Sequence, residues 1–176
     1  MIPGILLAIT LGWNPAKLIT SNNYYQNTTV FPFSGSVQSI EDGDTFTLKS
    51  GATVRLLGVN AWERGNEQFE SAKEFLSTEV SGKMVYLEYD RYQDDKYGRI
   101  LAWVWVDCEK TPELLPANYM HLSNNESREG LVENPKGCIQ GRLINEELVK
   151  SGNGEVVTYK ERGRLKYEAR LESVIR

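Results

Sequence analysis

Hydrophobic and polar positions alternate along three early stretches of the chain. Residues 37–40 lead into the turn-prone Glu41-Asp42-Gly43-Asp44. Residues 45–49 then place Phe46 and Leu48 on one face and Thr45, Thr47 and Lys49 on the other. Ser50-Gly51 turns the chain into the Val- and Leu-rich residues 53–59. A period of two bounded by turn residues predicts strands, and three in succession predict a meander. The period then changes. Phe69, Ala72, Leu76 and Val80 recur near 3.6 residues, with Glu70, Lys73, Glu74 and Glu79 on the wet face. Asn66 is a candidate cap for this helix, and Ser81-Gly82 ends it. Alternation returns in residues 84–89, where Val85, Leu87 and Tyr89 share a face. A charged loop, residues 90–98, leads to a strand at 100–106 whose Trp103 and Trp105 suit a barrel wall better than base-stacking platforms.

Residues 108–138 interrupt this order. They hold Pro112, Pro116 and Pro135 and keep no sustained period, so they read as an insertion. Beyond it, Leu143, Ile144, Glu147 and Leu148 mark a short helix ending at Ser151-Gly152, and Val156-Val157 is a short extended piece. Residues 161–174 read as a last helix, with Leu165, Ala169 and residues 171–174 on its apolar side. A meander, a helix, two strands and terminal helices predict an α+β, mainly β chain. An OB-type five-stranded barrel with three helices is its natural closure.

Composition refines this picture. The 176 residues are 40% hydrophobic, which suits one globular domain with appendages. Lys and Arg number 20 against 24 Asp and Glu, a net charge of −4. That balance disfavours bulk electrostatic attraction to nucleic acid, so such a partner requires locally placed positive charge or a bound cation. The C-terminal segment is locally basic, with Lys160, Arg162, Arg164, Lys166, Arg170 and Arg176. It either faces an anionic ligand or forms a salt-bridged helix.

The cysteines are Cys108 and Cys138, and His121 is the only histidine, so a zinc site is not expected. A Cys108–Cys138 disulfide would close the base of the insertion in an exported chain; two free thiols are the other reading. Residues 2–13 carry no charge and match a signal-peptide core in length, too short for an ordinary membrane span. No Lys or Arg precedes them and no Ala-x-Ala follows. The expectation is a secreted or membrane-anchored, extracytoplasmic protein. Residues 1–32 are its signal or anchor and polar linker, and 33–176 its domain. Sequons at Asn27 and Asn125 fit export.

Three short segments carry candidate chemistry: Asp42-Gly43-Asp44-Thr45, the run from Arg55 through Asn60-Ala61-Trp62 to Glu63, and Asp95-Lys96-Tyr97-Gly98-Arg99. In this order, with these elements between them, they resemble the staphylococcal (thermonuclease-like) nuclease family. The resemblance covers residues 37–106 and resumes over 142–160, including Leu-Ile-Asn-Glu-Glu-Leu-Val-Lys-Ser-Gly at 143–152. It implies the same OB barrel. It also implies a calcium-dependent nuclease of little sequence preference, acting on single-stranded or locally melted DNA and RNA, with no obligate protein partner evident.

The resemblance makes Asp44 a Ca2+ ligand, puts Arg55 and Arg99 on the scissile phosphate, and has Glu63 activate water. Asn60 and the backbone carbonyl of Ala61 are further candidate ligands. Lys96, Tyr97 and Tyr159 are candidate contacts to phosphate and base. The chemistry is coherent. Guanidinium forks match phosphate oxygens, a hard cation takes oxygen ligands, and a carboxylate serves as general base. The family usually carries Asp where this chain has Asn60, and Pro where it has Trp62. Loss of that carboxylate implies weaker cation binding. It leaves a catalytically weak nucleic-acid or protein-binding module as the alternative.

Overall fold

The computed structural model describes residues 31–117, 128–159 and 163–175. The expected signal or anchor, His121 and both sequons lie outside the described residues. The fold is that of the described residues of the unit Phe33–Arg176. Among the described residues, no helix is long and apolar enough to cross a membrane.

Among the described residues, eight strands and three helices follow in the order β1 (Ser34–Asp42), β2 (Thr45–Leu48), β3 (Thr53–Leu56), β4 (Val59–Ala61), α1 (Phe69–Val80), β5 (Met84–Glu88), β6 (Ile100–Val106), β7 (Arg142–Leu143), α2 (Ile144–Lys150), β8 (Gly154–Val156) and α3 (Glu168–Ser173). Strand β1 pairs antiparallel with β2 and β5, β2 with β3, and β5 with β6. Strand β3 pairs parallel with β6, which closes the five strands into a barrel. The predicted meander, helix and closure therefore hold. Phe46, Leu48, Val54, Leu56, Trp103 and Trp105 are buried, as expected of barrel-wall residues.

Two elements depart from the sequence reading. The strand expected at 53–59 is two strands, β3 and β4. Gly58 lies between them at φ +74°, a conformation that favours glycine and turns the chain out of the barrel ladder. Freed from that ladder, β4 pairs with β8. The last helix is also far shorter than the expected 161–174. It begins at Glu168, because the backbone N–H of Lys166 donates to Asp90 Oδ2 (2.6 Å) rather than to a helical carbonyl.

The C-terminal basic segment is internally neutralised among its described residues. Arg164 pairs with Glu168 and Glu172, and Arg170 pairs with Glu146 while lying over the Trp105 ring. Lys166 is fully buried, its Nζ donating to Glu88 Oε1 (3.1 Å) and to the Leu115 carbonyl (2.8 Å). Glu88 Oε2 also accepts from Trp105 Nε1 (3.0 Å) and the Tyr167 hydroxyl (2.9 Å). Arg164, Lys166 and Arg170 are thus each paired with a carboxylate, Lys166 in the core and not on a solvated helix, while Lys160, Arg162 and Arg176 lie outside the described residues.

No helix or strand occurs between β6 and β7 among the described residues. Backbone bonds from Lys110 to Gly137 (3.0 Å) and Glu113 to Lys136 (2.8 Å) join the two limbs of this stretch, and a Cys108–Cys138 disulfide closes its base. The bridge spans 30 residues. Replacing both cysteines with serine is expected to cost about 3–4 kcal/mol by loop-closure entropy. Urea unfolding measures this, and a loss below about 1 kcal/mol would mean the closed loop adds little constraint.

Candidate active site

The turn between β1 and β2 sets Asp44. Gly43 has no room for a side chain, since a Cβ there would lie 2.7 Å from Ala72 Cβ on α1 and 2.8 Å from Ala61 Cβ on β4. That close approach brings Asp44 beside β4, where its Oδ2 accepts from the Ala61 N–H (3.1 Å) and its Oδ1 from the Thr45 hydroxyl (2.8 Å). Asp44 is 6% exposed.

Arg55 projects from β3 into the same place. Its Nη2 lies 2.9 Å from Asp44 Oδ2 and donates to Asn60 Oδ1 at 2.7 Å. Its Nη1 donates to the carbonyls of Leu56 (3.3 Å) and Val59 (3.1 Å). Four partners therefore fix the guanidinium, and its orientation is set before any ligand arrives.

Arg99 is held from the other side. Asp95 Oδ2 accepts from its Nε and pairs with its Nη2, both at 2.7 Å, while Nη1 reaches the Thr45 hydroxyl at 3.5 Å. Asp95 Oδ1 accepts the N–H groups of Tyr97 (2.9 Å) and Arg99 (3.0 Å), which folds the Asp95–Arg99 segment into a tight loop. Partial burial pulls the Asp95 carboxyl upward. The bonds from Arg99 and from those two N–H groups outweigh it and hold the carboxyl below the usual range. Asp95 thus stays ionised and keeps Arg99 oriented.

Arg55, Asn60, Lys96, Arg99 and Tyr159 line one cavity of about 510 Å³. Three cationic side chains, Arg55, Lys96 and Arg99, face it against two carboxylates, Asp94 and Asp95. An acidic chain thereby gathers positive charge locally. Asp44 joins through its bond to Arg55. Tyr97 is 71% exposed and does not line the cavity; Arg99 lies over its ring at 5.4 Å and Lys96 at 4.9 Å. Glu63 does not line it either. It is exposed on the loop that follows β4, and its carboxylate makes no ion pair among the described residues. The ion pair of Arg55 is with Asp44, not with Glu63.

Sequence reasoning missed Tyr92, which lines the cavity and packs against Tyr159 with ring centroids 5.3 Å apart. It also missed Asp94 and the apolar floor of Leu101 and Val157. Tyr92 sits in a charged loop without periodicity, so no pattern marked it as buried.

The family model described as staphylococcal nuclease homologue matches residues 53–175. The chain belongs to that family. It is 39% identical over 82 residues to the thermonuclease of Staphylococcus intermedius, covering 42% of this chain and 49% of that protein. It is 35% identical over 83 residues to the thermonuclease of Staphylococcus hyicus, with the same two coverages of 42% and 49%. Protein ParB of Escherichia coli is 36% identical over 78 residues, 43% of each chain. The chain spans about half the length of the thermonucleases it matches.

For a staphylococcal nuclease homologue, the fit of the donor set to calcium is a matter of geometry and charge. Asp44 Oδ2 and Asn60 Oδ1 converge on a single positive group, Arg55 Nη2, so both oxygens already face a position of positive charge. Ala61 sits between the bonded rungs of the β4–β8 ladder, which turns its N–H toward Asp44 and its carbonyl to the same strand edge. All three donors are hard oxygens, as calcium prefers. In kind they fit. Charge is the weakness, because Asp44 is the sole carboxylate in the set and Arg55 neutralises it. No group of three or more His, Cys, Asp or Glu gathers to hold a metal among the described residues.

Proposed function

We propose that this chain is a nuclease that hydrolyses phosphodiester bonds of DNA or RNA with little sequence preference. One observation carries the reading: two arginines from separate segments, Arg55 on β3 and Arg99 before β6, meet at one cavity with Lys96 beside them. A cavity with cationic walls and tyrosines takes an anionic backbone and a stacked base, and reads neither base edge. Single-stranded or locally melted nucleic acid is the substrate that can enter it.

The residues divide the work. Arg55 and Arg99 are held by fixed carboxylates, so their charge is oriented without reorganisation as negative charge grows on the phosphoryl oxygens. Lys96 adds a further positive charge at the exposed rim. Tyr92 and Tyr159 form an aromatic wall for a base. Glu63 takes the proton of the attacking water, its carboxylate unengaged and exposed. Asp44, Asn60 and the Ala61 carbonyl would hold calcium, which supplies neutralising charge to the phosphate when bound. The disulfide supports an extracytoplasmic location, where such bridges persist.

Asn60 favours a second reading, a catalytically weak binding module that keeps the barrel. Purified protein incubated with labelled single-stranded DNA, with calcium and then with chelator, separates the two. Cleavage that stops on chelation supports the nuclease. Oligonucleotide binding without cleavage in calcium supports the module.

A further inference from the structure

Tyr92 lies between β5 and β6, outside any strand, and its segment is held at two points. On one side Asp90 Oδ2 accepts from the Lys166 N–H (2.6 Å) and from Trp103 Nε1 (3.1 Å). On the other, buried Gln93 donates through Nε2 to the Ala117 carbonyl (3.0 Å). The carbonyl of Gln93 accepts from the N–H of Leu101 on the cavity floor (2.9 Å). The insertion reaches both points. Its limb 108–117 carries Ala117 and also gives the Leu115 carbonyl to Lys166 Nζ (2.8 Å). Its returning limb gives the Leu131 N–H to the Lys166 carbonyl (2.8 Å). The Cys108–Cys138 bridge ties the two limbs at their base.

We infer that the disulfide-closed insertion buttresses the base-binding wall of the cavity, with Gln93 as the positioning residue that couples the two. The inference rests on the reading of Tyr92 and Tyr159 as a wall for a stacked base. Gln93 stands between Tyr92 and Asp94, both of which line the cavity, but its own side chain is engaged by the insertion. Because Gln93 is buried, losing Ala117 would leave its amide unsatisfied, at a cost in free energy. A shift of the limb therefore moves Gln93, and Tyr92 with it. Arg55 and Arg99 are instead fixed by carboxylates of their own, Asp44 and Asp95. Loosening the insertion should thus weaken the hold on a base and spare the hold on the phosphate.

The test compares two strands of equal length, a single-stranded oligonucleotide and its abasic analogue, bound to the full chain in chelator and read by anisotropy. Gln93→Leu is expected to weaken binding of the base-bearing strand by about threefold to tenfold, the worth of one hydrogen bond, and to leave the abasic strand unchanged. Cys108→Ser with Cys138→Ser is expected to do the same. The triple variant should lose no more than either, since both changes break one linkage. The ring signals of Tyr92 in NMR spectra of the free protein should shift in each variant. No loss on the base-bearing strand, or equal losses on both strands, would overturn the inference. Losses that add in the triple variant would show that Gln93 and the bridge act apart, which overturns it too. If the wild type binds both strands equally or binds neither, the base-wall reading falls. The Tyr92 signals in Gln93→Leu, whose disulfide is intact, then decide the coupling without nucleic acid: shifted signals uphold it and unmoved signals end it. The same variant decides the matter if the cysteine variant does not fold.

Discussion

Glu63→Gln is expected to lower turnover on single-stranded DNA by about 10²–10⁴-fold, the range for loss of a positioned general base. Glutamine keeps the shape and removes the proton acceptor. Affinity for an oligonucleotide should hold, because the proposed phosphate contacts are Arg55, Lys96 and Arg99 at the cavity, which Glu63 does not line. Stability should also hold within about 0.5 kcal/mol, the usual range for a surface substitution away from special features. Glu63 is exposed and carries no ion pair among the described residues, so nothing else in the barrel depends on its charge. Stopped-flow cleavage of a labelled oligonucleotide gives turnover, and anisotropy gives affinity. Full turnover in the variant would place the base elsewhere. Equal losses of turnover and affinity would mean that Glu63 binds substrate instead of activating water.

The largest stability effect is expected at Lys166. Lys166→Met should destabilise the fold by about 3–5 kcal/mol, the cost of leaving a buried charge without its partner. The stranded group is Glu88, whose side chain is 1% exposed and whose other oxygen serves Trp105 and Tyr167. The Leu115 carbonyl loses its donor at the same time, which weakens the attachment of the insertion to the barrel. Adding Glu88→Gln to Lys166→Met should recover part of the loss, because a neutral amide is far cheaper to bury than a lone carboxylate. Urea melts of the three proteins measure this. A Lys166→Met loss below about 1 kcal/mol would mean that water reaches Glu88 and screens it.

How far the sequence was legible depended on the range of the interactions. The barrel strands were readable because each buries one face, and burial of one face writes a period of two into Phe46, Leu48, Val85 and Leu87. Helix α1 was readable for the matching reason at Ala72, Leu76 and Val80. The candidate site was legible only as a resemblance among three short segments, since a single Asp in a turn or Arg in a strand carries no pattern. Folding then brought Arg55, Asn60, Lys96, Arg99 and Tyr159 to one cavity.

The misses share a cause. Lys166 read as part of a basic helix, yet its partner Glu88 lies 78 residues away in sequence. The same contact region shortens the final helix, through the Lys166 N–H bond to Asp90. Tyr92 packs on Tyr159 across a comparable distance along the chain. The pairing of Asn60 with Glu155 needs the turn at Gly58 and the β4–β8 register, and neither is visible in local periodicity. Local pattern reports what one element buries, and it is silent about which distant residue it meets.

The central claim is that the cavity lined by Arg55, Lys96, Arg99 and Tyr159 receives the nucleic-acid backbone. Titration of isotope-labelled protein with a short single-stranded oligonucleotide, followed by amide and arginine side-chain NMR signals, tests it directly. The account predicts the largest shifts at Arg55, Asn60, Lys96, Arg99 and Tyr159, and their loss in Arg99→Ala. Shifts confined to the disulfide-closed insertion, with those five residues unmoved, would contradict it.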